Sequence, residues 1–235
     1  MDINGDKSMS NTGFDFRDFF KRWPRFYYFI AVTFGPLFFG GLSAKRFLAK
    51  YPRQGKTLNV GSGPRIIAAE IINVDIHQYV GVSLVADASN IPLPDASVAR
   101  IISDNVLEHV QNPHKVVNEM ERLLEPGGYA YIAIPFLYPF HSSPSDYQRW
   151  TTEGYKQLFK RFEIIEIGTR AGPFSALCTW SCHCTAMIFS LGSPTLHSLF
   201  LNLSMFALFP LKLPDVIFNH RQHIQRRVFV IVQKR

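Results

Sequence analysis

Glycines and acidic residues follow three successive apolar runs in the middle of this sequence. The run TLNV is followed directly by Gly61 and Gly63. The next two runs, IINVD and VSLVAD, end in Asp75 and Asp87. Glycines after a strand let backbone N–H groups approach a ligand where a Cβ atom would collide, and a carboxylate after the neighbouring strand can accept hydrogen bonds from ribose hydroxyls. This spacing therefore predicts a nucleotide-binding crevice.

Short strands alternating with helices would position these residues. The segment PHKVVNEMERLLEPGG predicts a helix with Val116 and Met120 on one face, ended by the turn residues 126–128, and a second helix is predicted over 151–162. The predicted strands are 57–60, 71–75, 82–87, 99–104, 129–135, 162–169 and 227–233. Apolar strands that alternate with helices predict a parallel sheet that is covered on both faces.

The charge of the chain is unevenly distributed. The formal net charge is +7, but residues 57–172 hold nine Lys or Arg and thirteen Asp or Glu. Residues 14–56 hold nine basic and two acidic residues, and residues 173–235 hold six basic residues and one acidic residue. Both basic flanks are also strongly apolar, which suits an anionic membrane surface better than a phosphate backbone. We therefore expect membrane contact and no nucleic-acid partner.

Three cysteines lie close together in the C-terminal flank. Cys178, Cys182 and Cys184 surround His183, but no second cluster of ligands follows and the neighbouring residues are apolar. Buried reduced thiols are therefore favoured over a zinc site, and we predict no metal. An odd number of cysteines also argues against a disulfide framework and favours a reducing compartment.

The N-terminal flank contains an uncharged apolar stretch. Residues 1–13 are polar and are predicted to be a disordered tail without a cleavable signal peptide. Residues 26–42 form seventeen uncharged residues with Gly35-Pro36 near the centre. This length is at the short limit for a spanning helix, which needs ~20 residues, and Pro36 would kink it. Residues 14–56 are therefore predicted to associate with a membrane as a half-inserted or interfacial segment, with a buried core helix as the alternative.

Four segments, in this order, resemble the class I S-adenosylmethionine-dependent methyltransferases. They are LNVGSGP, INVD, VADASNIPLPDASVARIISDNVLEHV and LLEPGGYAYIAIP, and the closest group is the one with the methyltransferase type 11 domain. The resemblance covers roughly 57–170. An NAD-binding Rossmann domain would have a third glycine at Ile66 and would lack the IPLPDAS and LEHV segments.

The resemblance implies a binding site for S-adenosyl-L-methionine. Its glycine loop would pass beneath the methionine and ribose, Asp75 would hold the ribose hydroxyls, and Asp87 would accept from the adenine amino group. Asn59 stands where the family usually has an acidic residue. The implied cofactor-binding residues are Asn59, Gly61, Ser62, Gly63, Asp75, Ile76, Asp87, Ala88, Asn105 and Val106.

The segment 136–155 resembles the acceptor loop of the same group, with the pattern H-x4-D-x2-R-W-T. His141 or His109 is the expected general base for a hydroxyl acceptor. Asp146, Tyr147 and Arg149 are expected to bind the acceptor. The alternative is that Asp146 and Arg149 pair across a turn and only shape the loop.

The resemblance also implies the complete fold. We expect an α/β fold with a Rossmann-like, mostly parallel sheet of seven strands and helices on both faces, in a domain over 57–235. The strands 162–169 and 227–233 would form an antiparallel hairpin, so that 170–226 becomes an insertion that starts and ends at the ligand edge. Between Pro173 and Pro210 it contains no Asp, Glu, Lys or Arg, and it predicts two apolar helices. These could form a lid, a homodimer surface or a membrane-dipping hairpin.

These expectations define one main function and one alternative. The chain is expected to be a methyltransferase at the cytoplasmic face of a membrane that O-methylates a lipid-linked or membrane-associated acceptor, such as a glycan, a glycolipid or a quinone-like molecule. The alternative is a membrane-associated scaffold or partner subunit that binds the cofactor without transferring methyl, which Asn59 keeps open. A nucleic-acid methyltransferase is disfavoured because no N-P-P-Y-type tetrapeptide follows the fourth strand.

Overall fold

A seven-stranded sheet forms the centre of the protein in the computed structural model, which describes residues 41–141, 145–218 and 227–235. The strands are β1 (Thr57–Val60), β2 (Ile72–Asp75), β3 (Leu84–Val85), β4 (Val98–Asp104), β5 (Leu124–Pro135), β6 (Glu163–Ala171) and β7 (Arg227–Gln233). The helices are α1 (Ala44–Lys50), α2 (Pro113–Leu123), α3 (Thr152–Leu158), α4 (Pro173–Phe189), α5 (Pro194–Ala207) and α6 (Asp215–Phe218). Short 3₁₀ helices cover Leu107–His109 and Phe209–Lys212.

The strand order is β3-β2-β1-β4-β5-β7-β6. Strands β1 to β5 pair in parallel, and β7 runs antiparallel to both β5 and β6. This arrangement confirms the expected Rossmann-like sheet and the antiparallel hairpin at its end. The carboxyl ends of β1 to β6 and the first residue of β7 therefore lie at one edge of the sheet.

One strand, the first crossover and the end of one helix differ from the sequence-based expectation. Strand β3 is reduced to two residues, and the segment between Gly61 and Ile71 contains turns but no helix. Helix α2 ends at Leu123, before the turn residues 126–128, because Leu124 already pairs with Val98 of β4. Pairing across the sheet thus decides where this helix ends, ahead of the local turn signal.

Helices cover both faces of the sheet. On one face, α2 and α3 bury Val116, Met120 and Tyr155 against the parallel strands. On the other face, α1 buries Phe47 completely, in a cluster with Tyr131 of β5. The packed unit therefore includes residues before position 57, where the sequence analysis placed the start of the domain.

Helices α4 and α5 form a hairpin between β6 and β7. The only acidic residue of the C-terminal flank, Asp215, accepts hydrogen bonds from the backbone N–H groups of Phe174 and Ser175 at 2.9 and 2.8 Å and so caps α4. Within α4, the thiols of Cys178 and Cys182 are buried as expected, whereas that of Cys184 is exposed. None of the helices in the described ranges is both long enough and apolar enough to cross a membrane, and residues 26–40 of the apolar N-terminal stretch lie outside those ranges.

A cluster of charged residues holds together several chain segments at the ligand edge of the sheet. Asp104, at the end of β4, pairs with Arg170 at the end of β6 and with Arg65 at 3.1 Å, and Arg227 Nη1 lies 4.0 Å from its other oxygen. Burial opposes ionisation of Asp104, but these positive charges lower its pKa overall. Because the folded-state pKa is lowered, the stability that this carboxylate contributes is present near neutral pH and is lost as the pH falls through that pKa.

The first prediction concerns this cluster. Asp104→Asn is expected to lower the free energy of unfolding by about 3–5 kcal/mol, because it leaves buried arginines without their counter-charge. Asp95→Asn is the matched control: Asp95 also pairs with an arginine, Arg122, but its side chain is 78% exposed, so a change below about 1 kcal/mol is expected. Urea unfolding followed by circular dichroism measures both, and equal losses in the two variants would contradict the assigned role of Asp104.

Candidate active site

A cavity of about 390 Å³ lies where β1, β2, β3 and β4 end. This is the edge at which parallel α/β sheets bind their ligands. The lining residues are Val60, Gly61, Gly63, Pro64, Val74, Asp75, Ile76, His77, Tyr79, Ala86, Asp87, Ala88, Asn105, Val106, His109 and Val110. Eight of the ten expected cofactor residues are among them, together with His109 from the expected acceptor machinery.

The loop after β1 requires glycine for two reasons. Gly61 has a φ of +66°, and a Cβ atom there would lie 2.3 Å from Val106 Cγ2. Gly63 has a φ of +52°, and a Cβ atom there would meet no protein atom within 4 Å. The first glycine therefore permits close packing of the loop against the segment after β4, whereas the second leaves space at the cavity.

Asp75 organises this loop from the end of β2. Its Oδ2 accepts a hydrogen bond from the N–H of Gly63 at 2.8 Å, and its Oδ1 accepts one from the N–H of His77 at 3.0 Å. Each carboxylate oxygen has a second lone pair, so the same side chain can also accept hydrogen bonds from ribose hydroxyls.

Asp87 follows β3, Asp75 ends β2 and the glycine loop follows β1. Because the strand order is β3-β2-β1, Asp87 and the glycine loop lie on opposite sides of Asp75. Oδ1 of Asp87 accepts hydrogen bonds from the N–H and the hydroxyl of Ser89, both at 2.7 Å, and these bonds lower the pKa of the carboxyl. Ile76 is 59% exposed and lines the same cavity as Ala88. An ionised acceptor beside an exposed apolar side chain suits the amino group and ring of an adenine.

Two of the expected cofactor residues do not line the cavity. The side chain of Asn59 is buried, and its Nδ2 donates to Asn73 Oδ1 at 2.9 Å, linking β1 to β2. Side chains alternate along a strand, so Asn59 faces away from the core that its neighbours Leu58 and Val60 join. Ser62 is also buried, and its hydroxyl donates to the Gly63 carbonyl at 3.0 Å.

Sequence reasoning missed His77 and Tyr79, which line the cavity beyond Asp75. Their rings pack edge to face, with centroids 5.9 Å apart. Their positions two and four residues after Asp75 were the available signal, since the loop after β2 borders the same crevice.

Two histidines meet beside the cavity. The rings of His109 and His141 are nearly perpendicular, with centroids 5.0 Å apart. His109 Nδ1 bonds the carbonyl oxygen of Ser145, and His141 Nδ1 lies 3.3 Å from the carbonyl oxygen of Pro139. A carbonyl oxygen can only accept, so each Nδ1 carries a proton, and in the neutral ring Nε2 is the nitrogen that keeps a lone pair. Desolvation lowers the pKa of His141, so that it is held neutral at neutral pH.

Glu108 lies next to this pair and is completely buried. Neither of its carboxylate oxygens has a hydrogen-bond partner within the described part of the chain, and desolvation raises its pKa to about 8. Its Oε1 lies 3.9 Å from His109 Nε2. One possible ligand atom from each of Glu108, His109 and His141 falls within 4.8 Å of the others. The sequence analysis did not single out Glu108.

The three expected acceptor-binding residues lie in the loop behind the histidines and do not line the cavity. Arg149 pairs with both carboxylate oxygens of Asp146, with Nη2 to Oδ2 at 2.6 Å, and lowers the pKa of Asp146 to about 2. Asp146 Oδ2 also accepts from the N–H of His141 at 3.0 Å. Tyr147 is 48% exposed, and its hydroxyl accepts from Gln111. These contacts match the alternative in which Asp146 and Arg149 shape the loop.

Comparison with known proteins identifies the domain. Residues 58–132 match the model of a family described as a methyltransferase domain. An uncharacterized methyltransferase from Mycobacterium sp. (strain JLS) is 34% identical over 98 residues, which cover 34% of this chain and 38% of the relative. Residues 58–132 of this chain carry a methyltransferase domain of the class I, S-adenosylmethionine-dependent type. The match spans well under half the length of that relative.

Solved structures show the same fold in methyltransferases. A possible histamine N-methyltransferase from Thermotoga maritima superposes with a TM-score of 0.56 at 15% identity, covering 93% of this chain and 99% of that one. Phosphoethanolamine N-methyltransferase 2 from Haemonchus contortus, in complex with S-adenosyl-L-methionine, gives a TM-score of 0.52 at 18% identity over 93% of this chain and 59% of that one. These likenesses extend the class I methyltransferase fold beyond the segment of the family match.

The second prediction separates the two loop glycines of this methyltransferase domain. Gly61→Ala is expected to lower the free energy of unfolding by about 2 kcal/mol or more, because a strained φ is combined with a clash against Val106. Gly63→Ala is expected to cost about 1 kcal/mol from φ alone, but its methyl group enters the space beside the cavity and weakens binding of S-adenosylhomocysteine. Urea unfolding and calorimetric titration measure the two effects. Equal stability losses in both variants would contradict the close packing of Gly61.

Proposed function

We propose that this protein transfers a methyl group from S-adenosyl-L-methionine to a hydroxyl of an acceptor presented at the cytoplasmic face of a membrane. The proposal is based on one observation. The glycine loop, Asp75, Asp87 and His109 line the same cavity at the carboxyl edge of the sheet. Two carboxylates, a loop with glycines at positions 61 and 63 and an exposed apolar side chain at Ile76 fit a cofactor with a ribose and an adenine.

The residues of the chain have separate tasks in this proposal. Asp75 would hold the ribose hydroxyls, and Asp87 with Ile76 would hold the adenine. When bound, the cofactor supplies a methyl group that its sulfonium charge already activates. Alignment of the acceptor is then the main requirement, and Asn105 and Val106 border the place where it would occur. Nε2 of His141 or His109 would accept the proton of the acceptor hydroxyl.

The helix hairpin α4–α5 supports a lipid-linked acceptor, such as a glycolipid, a lipid-linked glycan or a quinone-like molecule. Helix α4 begins two residues after the carboxyl end of β6, at the same edge of the sheet as the cavity. The described hairpin region exposes many large apolar side chains, among them Leu177, Trp180, Met187, Ile188, Phe189, Leu191, Leu203, Phe206, Leu213 and Ile217. An apolar surface of this kind marks an interaction site, and the exposed basic residues Lys45 and Arg46 of α1 suit anionic headgroups.

The third prediction tests binding and transfer separately. Asp75→Ala is expected to abolish calorimetric binding of S-adenosylhomocysteine and methyl transfer together. His141→Ala is expected to keep that binding and to lower the transfer of radiolabelled methyl to a membrane lipid extract by about 10²–10⁴-fold. Asp95→Ala, at an exposed site, should change neither quantity.

Two outcomes would contradict the third prediction. Binding by the wild type without any transfer to the extract would favour the scaffold alternative. Near-normal transfer by both His141→Ala and His109→Ala would remove the histidines from proton transfer.

The fourth prediction tests membrane contact. Leu191→Glu is expected to weaken sedimentation with phosphatidylglycerol–phosphatidylcholine vesicles by at least about tenfold, since burial of one leucine contributes about 1.5–3 kcal/mol. Val80→Glu is the matched control, because both side chains are 88% exposed but Val80 lies outside the hairpin. Unchanged vesicle binding by Leu191→Glu, with loss of a dimer in size-exclusion chromatography with light scattering, would show that the hairpin is a homodimer surface instead.

A further inference from the structure

We propose that Glu108, His109 and His141 bind a divalent transition-metal ion beside the cofactor cavity. The three side chains come from two segments, the 3₁₀ helix after β4 and the loop after β5. Metal binding itself does not depend on the proposed function. The use of the ion to activate an acceptor does rest on it.

The distances between the possible ligand atoms are close to those of a metal site. Glu108 Oε1 and His109 Nε2 are 3.9 Å apart, and one possible ligand atom from each of the three side chains lies within 4.8 Å of the other two. Two ligands at about 2.1 Å from a tetrahedral ion are roughly 3.4 Å apart. Small side-chain rotations would close this difference.

The hydrogen bonds of both histidines prepare them as ligands. Each Nδ1 faces a backbone carbonyl oxygen, that of Ser145 for His109 and that of Pro139 for His141. These contacts fix the tautomer in which Nε2 is unprotonated and can coordinate a metal. Histidines that bind metals generally donate their other N–H to a carbonyl or carboxylate in this way.

Asp146 supports His141 from behind. Its Oδ2 lies 3.3 Å from His141 Nδ1 and accepts a hydrogen bond from the N–H of His141 at 3.0 Å. Arg149 holds the same carboxylate through both of its oxygens. The Arg149–Asp146 pair therefore positions the imidazole of His141. This role would explain why the loop contains an ion pair although neither residue lines the cavity.

The buried carboxyl of Glu108 is the observation that points to a cation. Its side chain is 0% exposed, and both of its oxygens lack a hydrogen-bond partner in the part of the chain that the structure describes. A buried carboxyl without hydrogen-bond partners is costly in either protonation state, and a bound cation would supply the missing interactions of the ionised form. A carboxyl held only for packing would not need an imidazole atom from each of two histidines within 4.8 Å of it.

The donor set and the location indicate the kind of ion and its use. Two imidazoles and one carboxylate favour Zn²⁺, Mn²⁺, Co²⁺ or Ni²⁺ over Mg²⁺ and Ca²⁺, which prefer oxygen ligands. Three protein ligands leave coordination positions open. Because His109 also lines the cofactor cavity, an acceptor hydroxyl on the ion would lie beside the methyl-transfer position. With both Nε2 atoms on the ion, the histidines would no longer act as the general base. The ion would instead lower the pKa of that hydroxyl, and its proton would pass to solvent water.

The fifth prediction uses cobalt as the probe. Full-length protein, stripped with a chelator and titrated with Co²⁺, is expected to bind one ion with visible absorption bands typical of nitrogen and oxygen ligands. Glu108→Gln and His141→Ala are expected to weaken this binding by about 100-fold or more, and Asp146→Asn by about 10–100-fold. His197→Ala is the matched control, because His197 also lies near a second histidine, with its ring centroid 6.5 Å from that of His183.

The outcomes of this titration are distinct. Absence of Co²⁺ binding by the folded wild type, or equal affinity in the wild type and in Glu108→Gln and His141→Ala, would overturn the proposal. Loss of binding in His197→Ala alone would also overturn it. Near-identical thermal unfolding curves for wild type and Glu108→Gln would show that lost binding is not lost folding.

A second measurement separates this proposal from the proposed function. Calorimetric binding of S-adenosylhomocysteine is expected to persist in the chelator-treated protein, whereas methyl transfer is expected to fall at least tenfold and to return with Mn²⁺ or Zn²⁺. Transfer that is unaffected by chelation would overturn the role of the ion and leave methyl transfer standing. Co²⁺ binding that depends on Glu108, without any methyl transfer, would support the metal site and contradict the proposed function.

Discussion

The ligand edge of this protein depends on one buried carboxylate. Asp104 neutralises arginines from three separate parts of the chain: Arg65 beyond the glycine loop, Arg170 at the end of β6 and Arg227 at the start of β7. It is followed directly by Asn105, which takes a φ of +62° and donates its N–H to the Ala133 carbonyl. The cofactor loop, the segment after β4 and the far edge of the sheet are thus held by the same charge, in a region where water cannot compensate for its loss.

The two sides of that edge use their acidic residues differently. On the cofactor side, Asp75 and Asp87 are tied by backbone N–H groups, which hold their oxygens in place as hydrogen-bond acceptors. On the acceptor side, Asp146 is neutralised by Arg149, whereas Glu108 has no such partner in the described structure. The same edge therefore combines a preorganised site for a polar cofactor with a group of ligands that a cation would complete. The apolar hairpin α4–α5 begins at this edge as well, so the proposed acceptor site and the proposed membrane contact are at the same edge of the sheet.

The central part of the fold was predictable because each of its signals is local. Apolar runs ended by glycine or aspartate marked β1 and β2, and the order of the motifs implied the family and the crevice. Eight of ten expected cofactor residues line the cavity for that reason. The two that do not, Asn59 and Ser62, were assigned by family position, and such an assignment does not state which face of the sheet a side chain takes. The end of α2 was also missed, because pairing of Leu124 with Val98 overrides the local turn residues.

The sequence by itself determined the strands, the glycine loop, the acidic residues that follow the strands and the uncharged hairpin, since these depend on period, chain length and backbone freedom. Only the tertiary structure decided which side chains are brought together. The contact of Gly61 with Val106, the three arginines around Asp104 and the approach of His141 to Glu108 and His109 all join residues that are distant in the chain. Such contacts follow from strand order and burial, and burial decides which charged groups lose water and must find a partner in the protein.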